Sequence, residues 1–272
     1  MVIRLASTTP LSRRRFLEAG MLGAGAALAA ACSHSVSGDS EIAQEAGRIT
    51  ARPRRLPKKH DAAISDNPLE PGLHPFAFGD ERDGLLYVPP GYQPDRPTAL
   101  VVGLHGAGHR AVEQITLLRE SADRWNFVAL APDSRGETWD LFGYGPDVPF
   151  IDRALGWVFQ RAFVDPDRLW IEGFSDGASS ALSIGLTNGD LFRRVVAFSP
   201  GYMTPNAHRG KPKIFLSHGT RDMVLPIERT GRPIAAKLKK EGYDVHFEVF
   251  DGPHAVPPDT MQHAARWLTA AN

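Results

Sequence analysis

From about residue 82 to residue 270 the chain alternates apolar strand-like runs with stretches of helical spacing, and this alternation narrows its folding options most. Ala99 to Leu104 is apolar without interruption, the mark of a strand buried on both faces. Leu85 to Val88, Phe127 to Ala131, Leu169 to Phe174, Arg194 to Phe198, Ile214 to Ser217 and Val245 to Phe250 read as further strands. Between them, Val112 to Trp125, Ile151 to Phe163, Ala178 to Thr187, Arg229 to Glu241 and Thr260 to Ala271 read as helices. Repeated strand–helix alternation predicts an α/β fold, a mostly parallel sheet with helices on both faces. Sites in such sheets lie beyond the carboxyl ends of the strands, so the loop after each strand is where chemistry is sought.

A chain of 272 residues supports one large domain rather than two. Lys+Arg and Asp+Glu both number 31, a balance that gives no electrostatic footprint for a nucleic-acid partner. The N-terminus is of another kind. Arg13, Arg14 and Arg15 precede Phe16-Leu17, and Ala19 to Ala31 is small, apolar and uncharged. That run is shorter than the roughly 20 residues a membrane-spanning helix needs. A basic start, short apolar middle and small-residue end make a secretory signal over residues 1–31, and Ser12 to Leu17 resembles the twin-arginine type. An exported location follows, periplasmic or at the cell surface.

Cys32 is the sole cysteine, so no intrachain disulfide is possible. Its place after Leu28-Ala29-Ala30-Ala31 resembles a bacterial lipobox, although Leu is favoured where Ala29 stands. Either Cys32 is lipidated and attaches the protein to a membrane, or the signal is cleaved and Cys32 is inert. Residues 32–78 read as a linker and irregular lead-in, with Arg48 to Lys59 a basic, proline-broken tether, and the catalytic domain as 79–272.

Gly173-Phe174-Ser175-Asp176-Gly177 lies between a predicted strand and a predicted helix. In that context G-x-S-x-G is a turn that lifts a serine hydroxyl to the top of the sheet, at a helix N-terminus where developing negative charge is favoured. A serine is a poor nucleophile without a base. In this fold the partners follow in the order acid, then histidine. Asp222 follows the strand through Phe215-Leu216-Ser217, and His254 follows Val249-Phe250 and the breaker Gly252-Pro253. His254 is the candidate base and Asp222 the candidate orienting acid. Asp251 competes with Asp222 but sits only three positions before His254, and His218 is expected to pack the loop that carries Asp222. The backbone N–H groups of Asp176 and of Ala107, in Leu104-His105-Gly106-Ala107-Gly108, are the candidate oxyanion donors. Trp139 and His105 are candidate substrate contacts, Trp139 equally a core residue, and Phe142 to Pro146 a candidate rim.

Together these residues, with Tyr87-Val88-Pro89-Pro90-Gly91-Tyr92 and Arg135-Gly136-Glu137-Thr138-Trp139-Asp140, resemble the carboxylesterase/phospholipase branch of the α/β-hydrolases, close to esterases related to polyhydroxybutyrate depolymerases. The resemblance covers roughly residues 82–270. It implies hydrolysis of carboxylic esters, small-molecule or lipid, by Ser175, Asp222 and His254 without metal or organic cofactor. Ala178 stands where many relatives carry a further glycine. About a dozen residues, Gly201 to Pro212, occupy the place where many lipases insert a cap, so little or no cap is expected. Two rival readings are a lysophospholipase or thioesterase with the same triad, and a non-catalytic binding lipoprotein on a hydrolase scaffold.

Overall fold

The structure, a computed structural model, describes residues 47–54, 69–140 and 145–270. Its strands are β1 (Gly72–Pro75), β2 (Gly84–Val88), β3 (Thr98–Leu104), β4 (Phe127–Pro132), β5 (Val164–Phe174), β6 (Arg194–Phe198), β7 (Lys213–Gly219) and β8 (Val245–Phe250). They form one sheet in the order β1-β2-β4-β3-β5-β6-β7-β8. The pairs β1–β2 and β2–β4 are antiparallel, and every other pair is parallel. The helices are α1 (Ala111–Trp125), α2 (Asp147–Arg161), α3 (Asp176–Thr187), α4 (Gly231–Lys240) and α5 (Pro258–Thr269).

The apolar run on β3 explains the layering. Leu100, Val102 and Leu104 face a core shared with Val148, Ile151 and Leu155 of α2, Ala181 and Leu182 of α3, and Ile234 and Leu238 of α4. Ala99 and Val101 alternate to the other side, where Ile115 and Leu118 of α1 meet Met261, Ala264 and Leu268 of α5. Both faces are thus covered, as a mostly parallel sheet requires. Asn126 in the left-handed conformation (φ 52°) stops α1 and turns the chain into β4.

The sheet begins earlier than the expected domain start at residue 79. β1 carries one exposed leucine, Leu73, in a four-residue edge strand, too little pattern to read as a strand. The front of the basic stretch is docked rather than free. Ile49 is fully buried, and its N–H donates to Asn188 Oδ1 at 2.9 Å. Arg48 and Arg52 both pair with Asp190, whose carboxyl is held down to about 2, chiefly by its hydrogen bonds from Arg48. The Thr50 and Ala51 N–H groups donate to Asp152 Oδ1 at 3.0 and 2.7 Å. The expected signal segment 1–31, Cys32 and Phe142 to Tyr144 of the expected rim lie outside the described residues. Among the described residues no helix is long and apolar enough to cross a membrane.

The interior is not wholly apolar. Glu172 on β5 is buried between the sheet, α1 and α5, beside Leu118, Phe127 and Met261. Its Oε1 accepts from Gln114 Nε2 at 2.5 Å, and its Oε2 has no partner among the described residues. Burial pushes its carboxyl up to about 8. Below pH 4.5 the folded and unfolded chains both hold the proton, and Glu172 costs nothing. As pH rises toward 8 the unfolded chain ionises while the folded one does not, so stability is lost across that window. Glu172→Gln keeps the Gln114 bond and removes the penalty, which is at most about 5 kcal/mol above pH 8. Calorimetry at pH 5 and pH 8.5 is expected to show a gain in Tm that is larger at the higher pH. Equal shifts at both pH values would mean that Glu172 is ionised in the fold.

Candidate active site

β5 delivers Ser175 into a backbone conformation (φ 57°, ψ −116°) that side chains rarely adopt, and α3 starts at the next residue. The flanking glycines are a steric requirement. A Cβ at Gly173 would strike the Gly177 carbonyl, and one at Gly177 would strike the carbonyls of Leu104 and His105. The turn is pinned from β6, where Phe198 O accepts the Ser175 N–H at 2.9 Å.

β7 and β8 bring the other two groups. A Cβ at Gly219 would meet the Gly252 and Pro253 carbonyls, so only glycine lets these loops lie so close. They are joined by Thr220 N–H to Phe250 O and Arg221 N–H to Gly252 O, both 2.9 Å. The result is a chain of hydrogen bonds. His254 Nδ1 lies 2.6 Å from Asp222 Oδ2, and His254 Nε2 lies 2.8 Å from Ser175 Oγ. An ionised carboxylate only accepts, so Nδ1 carries the imidazole proton and Nε2 offers its lone pair to the serine hydroxyl. Phe174 packs against the imidazole, ring centroids 4.8 Å apart.

Asp222 is buried, which alone would raise its carboxyl. Donors from its own loop and from His254 outweigh that and hold it below the ordinary range. Oδ1 accepts from Leu225 N–H at 2.7 Å and Val224 N–H at 2.9 Å. His218, fully buried, faces both Leu225 O (2.7 Å) and Asp222 Oδ2 (3.1 Å) through Nε2. Two acceptors at one nitrogen place its proton there, and burial keeps the ring neutral. His218 therefore packs the loop as expected, donating to Leu225 O with Nε2 also close to Asp222 Oδ2, a contact that spacing along the chain does not reveal. Asp251, the competing acid, is exposed and meets Arg221 at 3.1 Å and Thr220 Oγ1 at 3.2 Å.

Ala107 is exposed beside this chain of bonds and Asp176 opens α3; among the described residues neither N–H has a partner. The Asp176 carboxylate is turned away, with Oδ2 accepting from Trp139 N–H (3.0 Å) and Oδ1 from Tyr202 OH (3.3 Å). Burial raises its carboxyl against those donors.

The expectation that Trp139 and His105 contact substrate is corrected. Trp139 is 3% exposed and His105 is 1% exposed. The indole N–H is spent on His105 O at 2.8 Å, and the imidazole has both nitrogens bonded within the protein. Large apolar side chains that do reach the surface on the loops after β6 and β7 are Tyr202, Met223 and Val224. Tyr202 follows β6, and Met223 and Val224 follow the acid on the loop after β7; short apolar stretches in loops carry no periodic signal. The described residues hold no cluster of side chains suited to a metal ion.

A family model described as phospholipase/carboxylesterase matches residues 151–272, a span that includes Ser175, Asp222 and His254. Feruloyl esterase C of Emericella nidulans is 27% identical over 157 residues, covering 54% of this chain and 57% of that protein. Acyl-protein thioesterase 1 of Eremothecium gossypii is 25% identical over 143 residues, covering 49% and 60%. The chain thus spans less than two thirds of the length of these curated relatives. Among solved structures, esterase PE8 superposes with a TM-score of 0.59 at 23% identity, over 68% of this chain and 97% of that one. A phospholipase/carboxylesterase from Dyadobacter fermentans does so with a TM-score of 0.55 at 18% identity, over 76% and 100%. The chain has the α/β-hydrolase fold.

Proposed function

We propose that this chain hydrolyses carboxylic esters through an acyl-enzyme, with Ser175 as nucleophile, His254 as base and Asp222 as orienting acid. The observation that carries the reading is the unbroken hydrogen-bond chain from Asp222 through His254 to Ser175, at 2.6 and 2.8 Å, on a turn that presents the serine. Ser175 Oγ attacks the ester carbonyl while its proton passes to His254 Nε2. The Ala107 and Asp176 N–H groups hold the oxyanion. Collapse breaks the acyl–oxygen bond, and the imidazolium returns the proton to the departing alcohol. Water, deprotonated by His254, then attacks the acyl-serine, and the acid leaves with Ser175 restored. Every step is supplied by side chains and backbone, with no metal or cofactor.

The relatives support esters of aromatic acids as the first substrates to try, and acyl thioesters as the second. Exposed Tyr202, Met223 and Val224 beside the site suit an apolar acyl group. A fluorophosphonate probe tests the chemistry directly, because only an activated serine reacts. The expected result is one adduct, on Ser175, in a protein that also cleaves methyl ferulate or p-nitrophenyl esters. A folded protein that neither labels nor cleaves esters would leave a binding scaffold as the reading. Lysophospholipids and acyl thioesters in the same panel separate the rival hydrolases.

Export and lipid attachment belong to the same proposal, on the strength of Arg13-Arg14-Arg15, the apolar run after them and the lone Cys32. Mass spectrometry of the mature N-terminus is expected to find a diacylglyceryl-modified Cys32. An unmodified start would reject lipidation.

A further inference from the structure

We infer that His105 is a positioning residue, a hydrogen-bonded clamp that fixes the Gly106–Ala107 peptide so that the Ala107 N–H faces the reacting carbonyl. The inference rests on the ester-hydrolase reading and deepens it. His105 Nε2 lies 3.0 Å from the Ser134 N–H, which can only donate, so Nε2 is the unprotonated nitrogen. The proton is then on Nδ1, which lies 2.8 Å from Gly106 O and donates to it. Two backbone partners of opposite kind thus lock one tautomer of a ring that is almost wholly buried.

The consequence is directional. The peptide after Gly106 is trans, as are all described peptides, so its C=O and the Ala107 N–H point in opposite directions. The clamp draws Gly106 O toward the buried imidazole, and His109 N–H holds the same oxygen at 3.1 Å. The Ala107 N–H is thereby turned outward, at an exposed residue. Besides the Ser134 N–H bond to the ring, two further bonds brace the clamp against the loop after β4: Trp139 Nε1–H to His105 O at 2.8 Å, and Gly108 N–H to Glu137 O at 2.7 Å. Trp139 N–H also binds the Asp176 carboxylate at 3.0 Å, so one loop steadies both peptides that carry the proposed oxyanion donors. A flipped peptide at Gly106 would aim a carbonyl at the oxyanion and remove a donor.

The test uses the full chain with His105→Leu, His105→Asn and His105→Gln. Asn places an amide N–H where the ring Nδ1–H was; Gln reaches only the position of Nε2 and restores the acceptor for Ser134. The leucine variant is expected to lose about 10²-fold in kcat, the scale for one oxyanion donor, with KM within about 3-fold. Its affinity for a trifluoromethyl ketone, which forms a tetrahedral adduct, falls by a similar factor, while affinity for the plain ketone does not. Asn recovers about tenfold of the loss and Gln little. Asn and Gln behaving alike, a folded leucine variant with unchanged kcat, or a loss confined to KM would each overturn the inference. Should the leucine variant not fold, the Asn–Gln comparison decides. A wild type that does not react with fluorophosphonate overturns the ester-hydrolase reading instead. In that case ¹⁵N NMR of the His105 ring still decides the clamp, because protonated Nδ1 is expected and protonated Nε2 would refute it.

Discussion

Ser175→Ala is expected to lower kcat on an activated ester by about 10⁵- to 10⁶-fold, the scale seen when a triad serine is removed. The loss is this large because the hydroxyl is the atom that forms the acyl bond; the remaining groups then act only on a water held in its place. The fold should tolerate the change. Phe198 O accepts the backbone N–H of residue 175, and Ser179 bonds to its carbonyl, so neither contact uses the deleted oxygen. Ser175→Gly separates chemistry from stability further. Residue 175 sits at φ 57° and ψ −116°, where a Cβ is strained by roughly 1–3 kcal/mol and glycine is not. The glycine variant is therefore expected to be as inactive as the alanine one yet to melt higher, a stability cost the wild type carries in order to present a nucleophile. Retention of more than a percent or so of wild-type kcat by a folded alanine variant would remove Ser175 from the mechanism.

The parts of this molecule that were readable in the sequence share one physical cause. Strands such as Ala99 to Leu104 are buried on both faces, so their apolar runs announce them, and β6 and β8 begin and end where expected. Ser175, Asp222 and His254 could be proposed from the sequence because each follows the end of an apolar strand, a place that the sequence pattern marks. The misses come from contacts that leave no pattern. β1 earns its place by backbone pairing with β2, and Ile49 by a single side chain filling a gap beside Asn188. Trp139 and His105 were expected to face substrate, but their side chains are buried in the protein. Whether a side chain beside a site points to substrate or into the protein depends on partners such as Ser134 and Gly106, which are set by how two loops meet.

Asp222→Asn is expected to cost about 10⁴-fold in kcat, against less than about 2-fold for Asp251→Asn. The asymmetry follows from what converges on each carboxylate. Asp222 receives three donors, Val224 N–H and Leu225 N–H on Oδ1 and His254 Nδ1–H on Oδ2, with His218 Nε2 a further 3.1 Å neighbour of Oδ2. An asparagine has one acceptor oxygen and one NH₂. If its oxygen stays with the two loop N–H groups, the NH₂ faces His254, which must then accept at Nδ1 and carry its proton on Nε2. That tautomer cannot take the serine proton, and the charge that stabilises the imidazolium is also gone. If the amide is reversed, the Val224 and Leu225 N–H groups lose their acceptor, and the loop that places the acid is destabilised instead. Asp251 offers no such leverage, since its pairing with Arg221 is exposed on both sides, 67% and 79%, and such pairs contribute about 0–1 kcal/mol. The measurement is kcat on a short-chain ester near pH 8, with folding followed by circular dichroism. A large loss for Asp251→Asn and a small one for Asp222→Asn would reassign the acid while leaving Ser175 and His254 in place.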